Sequence, residues 1–128
     1  MFDRPHILIA EDDELVSELL KEVAMKEGFK VSIAVTGNEA FSLIATNQEL
    51  YSCVFLDLSL PGMHGKDIIK NLTKLNSRTK IIVYSGFIDE QIYEELKRFK
   101  IVVSCQMKPI SYTVLRSIFV TILENGEL

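Results

Sequence analysis

The sequence predicts an α/β domain built as (βα)5, with a doubly wound, mostly parallel five-stranded sheet. Three observations predict it. Five short apolar runs rich in Ile and Val alternate with five stretches whose apolar residues recur at helical spacing. The runs are apolar on both faces, as suits strands covered by helices on both sides, with right-handed crossovers between them. No linker, repeat or low-complexity tract interrupts the alternation, so residues 1–128 are expected to form one domain.

The first run, Ile7-Leu8-Ile9-Ala10, stops at four acids, Glu11-Asp12-Asp13-Glu14. Leu15, Val16, Leu19, Leu20 and Val23 then follow at helical spacing, and Gly28 ends that helix. Val31 to Val35 is the second strand. Thr36-Gly37-Asn38-Glu39 has the T-x-x-E spacing in which hydroxyl and carboxylate satisfy orphan amides at a helix start, and Ala40, Phe41 and Ile44 form the stripe beyond it. The third strand, Cys53 to Leu56, ends on one carboxylate, Asp57, and breaks into a loop marked by Pro61, Gly62 and Gly65. Ile68, Ile69, Leu72 and Leu75 mark the next helix. Ile81 to Tyr84 is the fourth strand, ending at Ser85-Gly86, and Ile88, Ile92, Leu96 and Phe99 follow as a stripe. The fifth strand runs from Ile101 to near Met107-Lys108-Pro109, and a last helix starting near Ser111 carries Leu115, Ile118, Phe119 and Ile122.

Composition sets broad limits. A chain of 128 residues that is 48% hydrophobic and 25% charged can bury a core without disulfide staples. Its net charge of -4 gives no overall electrostatic footprint for nucleic acid. No apolar run reaches membrane-spanning length, and charge and Pro5 stand where a signal peptide needs its apolar core. A cytoplasmic protein with no membrane insertion and no direct nucleic-acid contact is expected. Cys53 and Cys105 lack C-x-x-C spacing and read as small buried residues.

Ligands of open parallel sheets bind beyond the carboxyl ends of the strands. There the sequence places Glu11, Asp12 and Asp13, then Asp57, then Ser85 and Gly86, then Lys108. Carboxylates brought together repel by about 4 kcal/mol per pair at about 4 Å in an effective dielectric near 20. A hard cation such as Mg²⁺ offsets that and leaves positions for phosphate oxygens. Metal, ammonium and hydroxyl around one carboxylate form a device for stabilising a transferring phosphoryl group, with Asp57 as nucleophile.

On these residues the sequence resembles a response-regulator receiver domain of two-component signalling, of the chemotaxis-regulator type, over essentially the whole chain. The resemblance implies the flavodoxin-like strand order 2-1-3-4-5. It implies that Asp57 is the phosphoacceptor, that Glu11 and Asp12 are the acidic pair, and that the backbone carbonyl of Ser59 completes a Mg²⁺ site with Asp57. Ser85 matches the switch hydroxyl, Lys108 the phosphate-binding lysine, and Lys108-Pro109 a cis peptide. Asp12-Asp13 is the alternative registration of the pair. The implied donor is a histidine kinase or histidine phosphotransfer protein, and the implied output is a downstream target protein met on the fourth helix, fifth strand and fifth helix. Such a chain is a signalling domain rather than an enzyme.

Other readings compete with this one. Asp13 and Glu14 suit a helix start, and His64 an ordinary loop residue. An aspartyl-phosphate phosphatase would carry a second Asp at the position of Ser59. A phosphorylation-independent interaction module is the remaining alternative, against which Asp57, Lys108 and Ser85 argue. The chain departs from the family at Cys105, where an aromatic is usual, at Ile101-Val102, where Gly-Ala is usual, and at the apolar Phe87, which suggests slow loss of phosphate.

Overall fold

A computed structural model describes residues 4–47 and 50–125. The strands are β1 (His6–Ala10), β2 (Lys30–Ala34), β3 (Tyr51–Asp57), β4 (Ile81–Ser85) and β5 (Val102–Met107). The helices are α1 (Glu14–Lys26), α2 (Gly37–Thr46), α3 (Gly65–Lys74), α4 (Glu90–Lys97) and α5 (Tyr112–Asn125). All neighbouring strands pair in parallel, in the order β2-β1-β3-β4-β5, so the expected topology is present.

Alternation along each strand makes two cores. Leu8, Val54, Leu56, Ile81 and Val83 face Ala40, Ile44, Ile68, Leu72 and Leu96 of α2, α3 and α4. Ile7, Ile9, Phe55 and Ile82 face Leu20, Val23, Leu115 and Phe119 of α1 and α5. Complete burial of a side chain such as Phe119 contributes roughly 2–3 kcal/mol.

Helix ends follow local chemistry. Asp13 caps α1 by accepting from the amides of Leu15 and Val16 at 2.9 and 3.2 Å. Thr36 caps α2 through the Glu39 amide, and Gly28, at φ 101°, takes the left-handed turn beyond α1. His64 is more than a loop residue, because its Nδ1 accepts from the Lys66 amide at the start of α3.

Three expected core residues turn outward. Leu15 and Leu19 are 84% and 60% exposed, because Val16, Leu20 and Val23 define the inward stripe and the other pair lies one residue out of phase. Leu75 caps α3 rather than extending its buried stripe, and is exposed.

Candidate functional site

Strand register brings the site together. Ala10 pairs with Leu56, which sets Glu11 beside Asp57 at the carboxyl ends of β1 and β3. Asp57 pairs with Tyr84, and Ser85 with Met107, so Lys108 follows one residue beyond β5. The Lys108 amide donates to the Ser85 carbonyl at 2.7 Å, and the Lys108-Pro109 bond is cis.

Four predicted residues meet there. Carboxylate oxygens of Glu11, Asp12 and Asp57 lie within 4.8 Å of one another. The Lys108 ammonium donates to Glu11 Oε1 at 2.5 Å and to Asp57 Oδ2 at 2.9 Å. Glu11 and Asp57 are buried, whereas Asp12 is exposed. This geometry favours Glu11-Asp12 over Asp12-Asp13 as the clustered pair, since Asp13 is engaged in capping α1.

The electrostatics follow from burial. Desolvation pushes the Glu11 carboxyl up and Asp57 adds to it, against the Lys108 hydrogen bond that pulls it down. Desolvation alone would lower Lys108, but hydrogen bonds and charge from Glu11 and Asp57 outweigh it and leave the ammonium pKa raised. One lysine thus serves two buried acids. The oxygen-only donors and their spacing fit a hard divalent cation, which would relieve the carboxylate repulsion that the Lys108 ammonium partly offsets.

Ser85 is buried at the end of β4, and nothing lies within 4 Å of where a Cβ on Gly86 would sit, so space beside Ser85 is open. The Ser59 amide donates to Asp57 Oδ1 at 2.9 Å, tying the loop after β3 to the acid. The same loop is clamped from α2. Gly37 donates its amide to the Pro61 carbonyl at 2.8 Å, and Asn38 Oδ1 accepts from the Met63 amide at 2.9 Å. A Cβ on Gly37 would stand 1.8 Å from the Met63 carbonyl oxygen, so only glycine permits that approach.

Cys105, Cys53 and Phe87 lie outside the cluster. Cys105 is half-buried beside a pocket of about 310 Å³ lined by Ile88, Asp89, Glu90, Tyr93 and Met107, and burial raises its thiol pKa. Cys53 is buried in β3 and its thiol is pushed up to about 12 by the same cause. Both are unpaired thiols. Phe87 is 67% exposed in the loop after β4.

Sequence reasoning missed Tyr84. Its hydroxyl donates to Glu11 Oε1 at 3.2 Å, and the Lys108 ammonium sits 4.9 Å from its ring centroid. The signal was a Tyr at the end of an Ile/Val strand, since a buried phenol needs a partner.

Known proteins share this architecture. Residues 7–119 match the response regulator receiver domain model. The transcriptional regulatory protein YkoG of Bacillus subtilis is 36% identical over 84 residues, covering 66% of this chain and 36% of that protein. The sporulation initiation phosphotransferase F of Bacillus subtilis is 30% identical over 91 residues, covering 71% of this chain and 72% of that protein. The chain therefore spans about a third of the first relative's length and most of the second's. A Francisella response regulator receiver domain superposes with a TM-score of 0.83 at 26% identity, over 97% of this chain and 100% of that one. A signal receiver domain from Vibrio parahaemolyticus gives 0.86 at 22% identity, over 97% and 93% of the two chains, and supports the fold. The chain belongs to the response regulator receiver domain family.

Proposed function

We propose that this chain is a phosphoacceptor receiver, in which Asp57 takes a phosphoryl group from a phosphohistidine on a histidine kinase or histidine phosphotransfer protein. The observation that carries the reading is the Lys108 ammonium bridging Asp57 and Glu11 within a three-carboxylate cluster. Glu11, Asp12, Asp57 and the Ser59 backbone carbonyl would hold Mg²⁺. Bound there, the ion supplies positive charge to phosphoryl oxygens that a cluster of acids would otherwise repel.

The residues divide the work. An Asp57 carboxylate oxygen attacks phosphorus in line as the P–N bond breaks, and the departing imidazole keeps the bond's electron pair and takes up a proton. Lys108 shifts from bridging two acids to neutralising a phosphoryl oxygen, and Ser85 offers its hydroxyl to another. The outcome is a switched surface for a downstream target rather than catalytic turnover. Tyr93, Val103, Met107 and Tyr112, all exposed on α4, β5 and α5, suit such a face. Residues 1–128 act as one domain on this reading, without direct nucleic-acid or membrane contact.

Incubation with acetyl phosphate and Mg²⁺, followed by intact mass, tests the reading. One added phosphoryl group, abolished in Asp57→Asn, is expected. No adduct on the folded protein would favour a phosphorylation-independent module, and repeated turnover of small phosphoesters would favour a phosphatase.

A further inference from the structure

Tyr84 touches both members of the pair that phosphotransfer must separate. It is 1% exposed, level with Asp57 in the β3–β4 register, and its ring meets Phe55 edge-on at 6.0 Å. Its hydroxyl donates to Glu11 Oε1, the same oxygen that takes the Lys108 ammonium. Its ring face lies 4.9 Å from that ammonium, within reach of a cation–π attraction. A cavity of about 120 Å³ lined by Tyr84, Lys108, Pro109, Val16 and Leu20 leaves room beside the lysine stem.

We propose that Tyr84 is a positioning residue of the Asp57 site, flanking Lys108 with its ring and holding Glu11 by its hydroxyl, so that Glu11 keeps a donor when the lysine leaves it. The inference rests on the phosphoacceptor reading above. When Lys108 turns to a phosphoryl oxygen, Glu11 Oε1 loses a donor on a side chain that is only 1% exposed. The Tyr84 hydroxyl stays, and keeps Glu11 oriented toward the cation position. The Ile or Val usual elsewhere in this strand would pack there but offer no donor. Partners behind metal-binding side chains orient them, and removing one typically weakens the metal about tenfold or more.

Two variants of the full chain separate the hydroxyl from the ring. Tyr84→Phe keeps the ring and removes the donor, and Tyr84→Leu removes both. Mg²⁺ affinity is measured without phosphodonor, by titrating the amide resonances of Glu11 to Asp13. Acetyl phosphate labelling is then measured across Mg²⁺ concentrations, which separates half-saturation from maximal rate. Tyr84→Phe is expected to weaken Mg²⁺ about tenfold in both titrations while the saturated rate stays within about twofold. Tyr84→Leu is expected to lower the saturated rate as well. Unchanged Mg²⁺ affinity in Tyr84→Phe overturns the proposal, and a loss confined to melting temperature assigns Tyr84 to packing alone. If the wild type binds Mg²⁺ but takes no phosphate, the phosphoacceptor reading fails while the Tyr84→Phe affinity still decides this one. A wild type that binds no Mg²⁺ overturns both.

Discussion

Replacing Lys108 with Met removes the only cation hydrogen-bonded to Glu11 and Asp57 among the described residues. At 2.5 and 2.9 Å, and an effective dielectric near 20, each pair carries roughly 6 kcal/mol of gross attraction. Most of that offsets the desolvation of the charges, and removing one partner of a buried pair typically costs about 3–5 kcal/mol. The lower end applies here, about 3 kcal/mol, because the Lys108 side chain is 23% exposed. Folding raises the Lys108 pKa, so its stabilisation is present through neutral pH and is lost only as pH climbs through the raised value. Folding also raises Glu11, chiefly through burial, so the folded state favours its protonated form and gains stability as pH falls. Without Lys108 that rise grows, and the variant's deficit should shrink on acidification. Urea unfolding followed by circular dichroism, with EDTA, at pH about 7 and about 5 reads both effects. For a slope of about 2 kcal/mol per molar, the Lys108→Met midpoint falls by about 1.5 M at neutral pH and by less at the acidic one. A variant as stable as wild type at neutral pH, or a deficit independent of pH, would refute the reasoning.

Other substitutions probe the surroundings of the site. Gly37→Ala forces a methyl against the Met63 carbonyl, which no rotamer relieves, so it should destabilise by about 2 kcal/mol and lower the melting temperature by roughly 7 °C. A melting temperature equal to wild type would mean that the loop after β3 moves aside. The aspartyl phosphate of the isolated wild type should outlast seconds, since exposed Phe87 offers a water no base. Phe87→Glu should shorten that lifetime about tenfold, read by intact mass over time, and a lifetime unchanged or longer counts against the role given to this position.

Most of the cluster was legible because its members stand at strand ends, which apolar runs mark clearly. Glu11, Asp57, Ser85 and Lys108 each follow such a run, and a parallel sheet necessarily gathers those ends. What stayed hidden depends on register and on contacts between distant segments. Tyr84 lies inside its run and reads as an ordinary strand residue, until pairing with Asp57 brings its hydroxyl to Glu11. Gly37 reads as part of a capping sequence, while its second role, admitting the Met63 carbonyl, arises 26 residues away in the chain. Leu15 and Leu19 fit a helical period as well as Val16 and Leu20 do, and only packing against the sheet selects between them.

The central claim is that Asp57 itself carries the phosphoryl group. Treating the protein with acetyl phosphate and Mg²⁺, reducing the acyl phosphate with borohydride, and sequencing the peptides by mass spectrometry locates the modified residue directly. Homoserine at position 57, dependent on Mg²⁺, is the predicted result. Modification of another acid, or none in the folded protein, would contradict it.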